Sequence, residues 1–230
     1  MEVKIMKNIL AASDQMAVET RKLFSKNNVF AVNMMSSPGS GKTEILEKTI
    51  DSIKEKVKTG VIEGDITSSF DARRLLKFDI PVIQINTKPF GGDCHLEASW
   101  IRESALEMDL KNIELLVIEN IGNLVCPAEF DTGSHKNITV ISVTEGEDKP
   151  LKYPLMFHKS HLVLINKCDL IDVLNFEIEL LEENIKKVNP KAEIIRVSAR
   201  TGKGMDKWVR WLGDNLSDFK KENNIHKEER

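Results

Sequence analysis

The sequence is short of several features, and each shortage excludes a class of protein. Three cysteines in 230 residues are too few, and odd in number, for a disulfide framework, so we expect reduced thiols. No apolar run approaches the roughly 18 residues that span a bilayer, and residues 1–6 contain no signal-peptide core. The net charge is only −3, with acidic and basic residues mixed, which disfavours a nucleic-acid surface. We therefore expect a cytoplasmic protein with no membrane or nucleic-acid partner, built as one domain or one domain with a small appendage.

A glycine-containing stretch early in the chain carries the strongest signal. It reads Ser36-Ser37-Pro38-Gly39-Ser40-Gly41-Lys42-Thr43. An apolar run from Val29 to Met35 precedes it, and residues 44–58 repeat apolar side chains at helical spacing. Strand, glycine loop, Lys-Thr and helix together predict a loop whose backbone N–H groups bind phosphates at a helix N-terminus. Lys42 would contact the outer phosphates, and the Thr43 hydroxyl would bind magnesium.

One position departs from the usual pattern, because Ser36 stands where the first glycine normally does. Serine is small, so we expect it to be tolerated with a loop start of different shape. The alternative to a phosphate site is an ordinary glycine-rich turn, which the flanking strand and helix disfavour. The residues predicted to bind the nucleotide phosphates are therefore Pro38, Gly39, Ser40, Gly41, Lys42 and Thr43.

Beyond this loop, strand and helix patterns alternate to the end of the chain. The further candidate strands are Thr59–Ile62, Pro81–Ile85, Glu114–Glu119, Ile138–Val143, His161–Ile165 and Glu193–Val197. Helical spacing occurs in residues 5–25, 68–78, 94–108, 172–188 and 204–220. Apolar strands separated by amphipathic helices predict an α/β fold with a mostly parallel sheet flanked by helices, the P-loop NTPase fold. We expect an N-terminal helix in 1–28, a nucleotide-binding domain in 29–218 and a fraying polar tail in 219–230.

Two later segments predict that the base is guanine. Asn166-Lys167-Cys168-Asp169 follows a candidate strand, and a carboxylate there can accept hydrogen bonds from the guanine N1–H and amine. One strand later, Ser198 and Ala199 begin a segment similar to the loop that closes over the base in GTPases. Alone, the first segment is a four-letter coincidence, but both follow the phosphate loop in the expected order. Asn166, Lys167, Asp169, Ser198 and Ala199 are the predicted base-binding residues, and Cys168 is read as a packing thiol.

Acidic residues at two strand ends predict magnesium binding and GTP hydrolysis. Asp65 ends the second strand, although it can also be a turn-forming residue. Glu119 and Gly122 form a D-x-x-G switch with glutamate in place of aspartate, so Glu119 would hold magnesium and the Gly122 N–H would meet the γ-phosphate. Asn123 stands where Ras-like GTPases place a water-orienting glutamine, and its shorter side chain predicts slow hydrolysis. The candidate catalytic residues are Lys42, Asp65, Glu119 and Gly122, and Thr43, Asp65 and Glu119 are the candidate magnesium ligands.

A second, softer metal site is suggested by Cys94, His95 and Cys126. The first two lie side by side at the start of a predicted helix, where a thiol has a lowered pKa. Two sulfurs and one nitrogen suit nickel or zinc rather than calcium or magnesium. A Cys-His pair and a distant cysteine are usually unrelated, so the residues alone leave a shared site open. Three ligands would also need water or a second subunit to complete the coordination.

Together these motifs resemble the hydrogenase nickel-incorporation GTPases, the HypB family. The segments that carry the resemblance are Ser36–Thr43, Glu63–Asp65, Cys94–Ala98, Glu119–Ala128 and Asn166–Asp169. The resemblance extends over about residues 5–215. It implies a SIMIBI-class GTPase that uses GTP and magnesium, binds nickel or zinc through Cys94, His95 and Cys126, and forms a homodimer when GTP and metal are bound. It also implies nickel delivery to [NiFe]-hydrogenase, with a HypA-type nickel chaperone and the hydrogenase large-subunit precursor as partners.

Two departures from the family pattern narrow these expectations. Some relatives carry an N-terminal cysteine motif or a histidine-rich stretch, whereas residues 1–28 contain neither cysteine nor histidine. Some also have a histidine one helical turn beyond the Cys-His pair, where this chain has Ser99. Storage of several nickel ions is therefore not expected.

Two alternatives remain open from the sequence. The urease maturation GTPases, the UreG family, belong to the same class, but usually have Cys-Pro-His and lack the cysteine after the second switch. A non-enzymatic adaptor, in which GTP has only a structural role, would share the metal ligands without turnover. GTP turnover measured with and without magnesium separates an enzyme from an adaptor.

Overall fold

The computed structural model describes residues 4–66, 70–88 and 94–228, and within them seven strands form one parallel sheet. The strands are β1 (Phe30–Ser36), β2 (Thr59–Asp65), β3 (Val82–Asn86), β4 (Leu115–Gly122), β5 (Lys136–Ser142), β6 (Leu162–Asn166) and β7 (Glu193–Arg196). Their order is β3-β2-β4-β1-β5-β6-β7, with β1 at the centre. The predicted α/β fold with a parallel sheet is confirmed.

Helices cover both faces of this sheet. They are α1 (Lys4–Lys26), α2 (Lys42–Ile53), α3 (Phe70–Leu75), α4 (Ala98–Leu106), α5 (Cys126–Glu129), α6 (Lys149–Lys152), α7 (Pro154–His158), α8 (Ile171–Leu174), α9 (Ile178–Val188) and α10 (Met205–Glu228). On one face, α2 and α10 pack against alternate residues of β1 and β4. On the other face, α1 and α4 cover one half and α7 and α9 the other. All seven residues of β1 are buried, as expected for a strand covered on both faces.

Two helix predictions need correction, and two short helices were not predicted. The helix predicted from residue 94 begins at Ala98, so Cys94 and His95 lie before it rather than at its start. The helix predicted for 172–188 is interrupted at Asn175, whose φ of 50° is left-handed. The short helices α6 and α7 were not predicted, because each is too short for a recognisable apolar period.

A fraying tail was predicted for residues 219–230. That prediction is wrong for residues 219–228, which the structure describes as part of α10. Lys220 Nζ donates to Glu114 Oε1 at 2.5 Å, and Asn223 Nδ2 donates to Ser25 O and Asn28 Oδ1 at 2.6 Å each. These polar residues therefore bind the end of α1 and the residues just before β1 and β4. Among the described residues, we find no helix whose length and apolar character would let it cross a bilayer.

Gly213→Ala is expected to stabilise the chain by about 0.5–1 kcal/mol, because alanine restricts the unfolded chain and suits a helix interior. Gly213 lies within α10, and an added Cβ would meet no atom within 4 Å. Thermal unfolding should show a rise in Tm of a few degrees. Gly202→Ala is the matched control, since its Cβ would also meet open space but its φ is +82°. That control should lower Tm, and a fall with Gly213→Ala would contradict the prediction.

Candidate nucleotide and metal site

The predicted phosphate loop connects the end of β1 to the start of α2. Gly39 and Gly41 have φ values of 75° and 93°, which side chains disfavour, and a Cβ on Gly41 would overlap the Asn166 amide. Lys42 Nζ donates to Ser36 Oγ at 2.8 Å. The serine that replaces the usual glycine therefore accepts a hydrogen bond from the loop lysine.

A cavity of about 550 Å³ opens above this loop at the carboxyl ends of β1, β2 and β4. It is lined by residues 38–44 of the loop and by Glu63, Asp65, Arg74, Glu119 and Gly122. Thr43 Oγ1 donates to Glu119 Oε1 at 2.6 Å. A Cβ on Gly122 would lie 3.1 Å from Pro38 Cα, so β4 closely approaches the loop.

The donor set of this cavity fits magnesium. A hydroxyl from Thr43 and carboxylates from Asp65 and Glu119 are hard oxygen ligands, which magnesium prefers. When bound, magnesium would neutralise phosphate charge beside Lys42. The structure thus brings all three candidate magnesium ligands to the phosphate loop.

The predicted base-binding segments meet the other side of the loop. Asn166 Nδ2 donates to Ser40 O at 2.9 Å, and its Oδ1 accepts from Ala199 N at 3.2 Å. Lys167, with a left-handed φ of 60°, donates from Nζ to Gly39 O at 2.7 Å. Asn166 and Lys167 therefore link the phosphate loop to the second predicted base segment.

Asp169 and Ser198 are joined directly. Ser198 Oγ donates to Asp169 Oδ1 at 2.6 Å and accepts from Thr201 N at 3.1 Å. A backbone hydrogen bond from Cys168 N to Val197 O, 3.1 Å long, holds the two segments side by side. The carboxylate predicted to read guanine is thus oriented by the neighbouring segment.

The softer site is only partly assembled. Cys94 and Cys126 are joined as a disulfide with Cα atoms 6.1 Å apart, which corrects the expectation that all thiols are reduced. The structure therefore brings together two of the three residues that the resemblance assigns to one metal site, although 32 positions separate them in sequence. The buried His95 ring stacks on Phe130, with ring centroids 3.7 Å apart. Across the part of the chain that the structure describes, no group of three or more His, Cys, Asp or Glu side chains could hold a metal ion.

Asn123 was predicted to stand at the water-orienting position, but its side chain accepts hydrogen bonds from the backbone two and three residues further on. Its Oδ1 accepts from Val125 N at 2.7 Å and from Cys126 N at 3.3 Å. Asn123 therefore fixes the start of α5, where Cys126 lies.

The comparisons with known proteins now identify the family. Residues 30–196 match the family model described as CobW/HypB/UreG, nucleotide-binding domain. Hydrogenase maturation factor HypB of Azotobacter vinelandii is 45% identical over 210 residues, which are 91% of this chain and 68% of that protein. The chain belongs to the HypB family. The resemblance to HypB rather than UreG is thereby confirmed.

Two solved HypB structures have the same fold as this HypB-family chain. HypB from Archaeoglobus fulgidus superposes with a TM-score of 0.83 at 36% identity, covering 90% of this chain and 99% of that one. HypB from Helicobacter pylori in complex with nickel gives a TM-score of 0.84 at 38% identity, with 90% and 96% covered.

The sequence motifs assigned no role to two acidic residues of this HypB-family chain, Glu63 and Glu145. Glu63 is 2% exposed, lies opposite Glu119 in the sheet and lines the cavity. An acidic residue within an otherwise apolar strand was the available signal.

Glu145 accepts a short hydrogen bond from Ser37 Oγ and a 2.9 Å bond from Ser142 N. Burial raises the pKa of Glu145, while its hydrogen bonds oppose the rise. Its only sequence signal was an acid just after a strand.

Proposed function

We propose that this chain is a magnesium-dependent GTPase that assists GTP-dependent nickel delivery into [NiFe]-hydrogenase during maturation. One observation carries the proposal: β4 ends at Gly122 in the cavity, and the chain reaches Cys126, beside Cys94, only four residues later. Relatives named hydrogenase maturation factors, and a neighbour solved with nickel, support this role.

Hydrolysis in this proposal depends on residues of the cavity. Lys42 would neutralise phosphate charge, Thr43, Asp65 and Glu119 would hold magnesium, and the Gly122 N–H would contact the γ-phosphate. The Asn123 side chain bonds to Val125 N and Cys126 N, which supports a slow intrinsic rate. An adaptor without enzymatic activity would bind GTP but show no magnesium-dependent turnover.

The nickel cargo would be bound by the reduced forms of Cys94 and Cys126, because a sulfur in a disulfide is unavailable as a thiolate ligand. His95, adjacent to Cys94, would leave Phe130 to complete a three-ligand set that also suits zinc. A symmetric homodimer would supply further ligands from its second copy. The HypA-type nickel chaperone and the hydrogenase large-subunit precursor are the proposed protein partners.

The short connection between Gly122 and Cys126 gives a route for coupling. Three residues separate them, roughly 10–14 Å of extended chain. Loss of the γ-phosphate would relax this segment and shift Cys126 relative to Cys94, and metal ligation tolerates only a few tenths of an ångström. Couplings of this kind amount to about 1–3 kcal/mol, roughly 5–150-fold in affinity, and they are reciprocal.

Nickel titration of the reduced chain tests the proposal. We expect nickel affinity to differ at least about fivefold between the GDP and GTP-analogue forms. Cys126→Ala should remove the difference, whereas Cys168→Ala, a control at the remaining cysteine, should retain it. Equal affinities in both nucleotide states, or a difference that survives Cys126→Ala, would contradict the coupling. Sedimentation of the same samples should show a dimer with GTP analogue, magnesium and nickel, and a persistent monomer would exclude a shared site.

A further inference from the structure

The carboxyl end of β4 contains a bulge between the two residues predicted to sense the nucleotide. Met34 of β1 pairs with Glu119, but Ser36 pairs with Gly122, so β4 has one more residue than β1 over this stretch. The additional residue lies at Asn120–Ile121. A bulge interrupts the ladder, re-aims side chains and is frequent beside functional sites.

The Asn120 side chain stabilises this bulge. It is 1% exposed, and its Oδ1 accepts from Ile121 N at 2.9 Å. The same oxygen accepts from Leu96 N at 3.3 Å, 24 residues away in sequence. Because both donors are backbone N–H groups, the orientation of the amide is unambiguous. Asn120 therefore joins the end of β4 to the residue that follows His95.

Leu96 is held from a second direction. Its side chain is fully buried against β2, where a Cβ added to Gly64 would lie 2.7 Å from Leu96 Cδ1. Gly64 lies between Glu63 and Asp65, and both of these residues line the cavity. The Cys94–His95 segment is thus anchored, at Leu96, to both strands that bring carboxylates to the phosphate loop.

The nitrogen of the Asn120 amide is also hydrogen-bonded, on the side that faces β1. Its Nδ2 donates to Asn33 Oδ1 at 3.1 Å, and Asn33 Nδ2 donates to Asn137 Oδ1 at 3.2 Å. This chain of amides, in which Asn120 and Asn33 are buried and Asn137 is half-buried, crosses β4, β1 and β5 beneath the phosphate loop. Buried polar groups that satisfy one another in this way restrict a core to one arrangement.

We propose that Asn120 is a positioning residue that makes the Cys94–His95 segment follow the nucleotide state of the cavity. The inference rests on the proposed function, in which the end of β4 responds to the γ-phosphate. It adds a second connection between the two sites, which reaches Cys94 and His95 and is independent of the Gly122–Cys126 route.

Exchange of the Leu96 amide proton, followed by NMR, tests this connection. In the unmodified chain with magnesium, we expect exchange to differ at least about fivefold between saturating GDP and GTP analogue. Asn120→Ser, whose side chain is too short to reach Leu96 N, should reduce the difference below about twofold. If that variant does not fold, Asn120→Thr makes the same test with a residue better suited to a strand.

Two further variants separate a specific effect of the Asn120–Leu96 hydrogen bond from a general loss of packing in the protein interior. Asn120→Asp keeps an acceptor oxygen for Leu96 N and Ile121 N. With the buried acid protonated it also keeps a donor, the O–H group, for Asn33 Oδ1, so it should restore the nucleotide-dependent difference. Asn137→Ser breaks the next amide contact, between Asn33 and Asn137, without touching Leu96, and it should retain the difference.

The outcomes distinguish this inference from the proposed function. Failure of the unmodified chain to bind GTP would overturn both. Nucleotide binding with equal Leu96 exchange in both states would overturn only the role of Asn120, as would a difference that survives Asn120→Ser. An equal loss in Asn137→Ser would also overturn it.

Discussion

Asp169→Asn is expected to lower the affinity for GTP about 100-fold and to raise the affinity for xanthosine triphosphate. The Asp169 carboxylate is oriented by a 2.6 Å hydrogen bond from Ser198 and would accept from the guanine N1–H and amine. An asparagine presents a donor in place of one acceptor, which leaves guanine groups unsatisfied at a cost of about 3 kcal/mol. Xanthine has an acceptor oxygen where guanine has its amine, so it complements the variant.

Fluorescent nucleotide titrations at fixed magnesium measure both affinities. Asp172→Asn is the matched control, because it makes the same chemical change at an exposed residue three positions along the chain. It should bind GTP as the unmodified chain does. Unchanged GTP affinity in Asp169→Asn would exclude this residue from base recognition.

The second large effect is a loss of stability in mild acid that originates at His135. This ring packs between Phe30 and Phe219, its Nδ1 accepts from Ala31 N at 3.0 Å, and its Nε2 lies 3.1 Å from Ser25 Oγ. Burial lowers the pKa of His135 to about 4, and the charges of Arg21 and Lys136 contribute to this lowering. The folded chain therefore holds the ring neutral.

The direction of the pH effect follows from this depressed pKa. In the unfolded chain a histidine has a pKa of about 6.5, so it binds a proton as the pH falls below that value. The folded chain does not bind that proton until about pH 4. The contribution of His135 is complete above about pH 6.5 and is lost between 6.5 and 4, by up to about 3 kcal/mol in the free energy of unfolding.

Urea unfolding at several pH values between 7 and 4.5 measures this loss. His135→Asn retains an acceptor for Ala31 N but cannot titrate, so its free energy of unfolding should fall less steeply over this range. His158→Asn, at an exposed histidine, should follow the unmodified chain. His161, whose pKa burial also lowers, contributes equally to all three proteins. Parallel curves for the unmodified chain and His135→Asn would contradict the assignment.

The sheet could be predicted from the sequence because its strands are continuous apolar runs, as β1 illustrates. The start of α4 could not, because residues 94–97 share its helical spacing. Leu96 is instead held outside the helix by Asn120 and Gly64. The polar C-terminal residues were also misread, since the contacts of Lys220 and Asn223 are with distant loops.

The residues of the candidate site also fall into two groups, those that the sequence could place and those that it could not. The loop around Lys42 and the segment around Asp169 could be placed from contiguous motifs, because their geometry depends on neighbouring residues. Glu63 and Asn120 owe their neighbours to distant parts of the chain, Glu119 on β4 for Glu63 and Leu96 before α4 for Asn120, and these pairings cannot be derived from either segment alone. The contact of His95 with Phe130 likewise joins residues distant in sequence.

The central position of β1 has a consequence for synthesis of the chain. Its sheet neighbours are β4 and β5, and the first of these begins only at Leu115. Ribosomes add roughly 5–20 residues per second, so the nascent β1 waits several seconds or longer before either neighbour emerges. Seven residues that are buried in the finished sheet are accessible to chaperones, or to other nascent chains, throughout that interval.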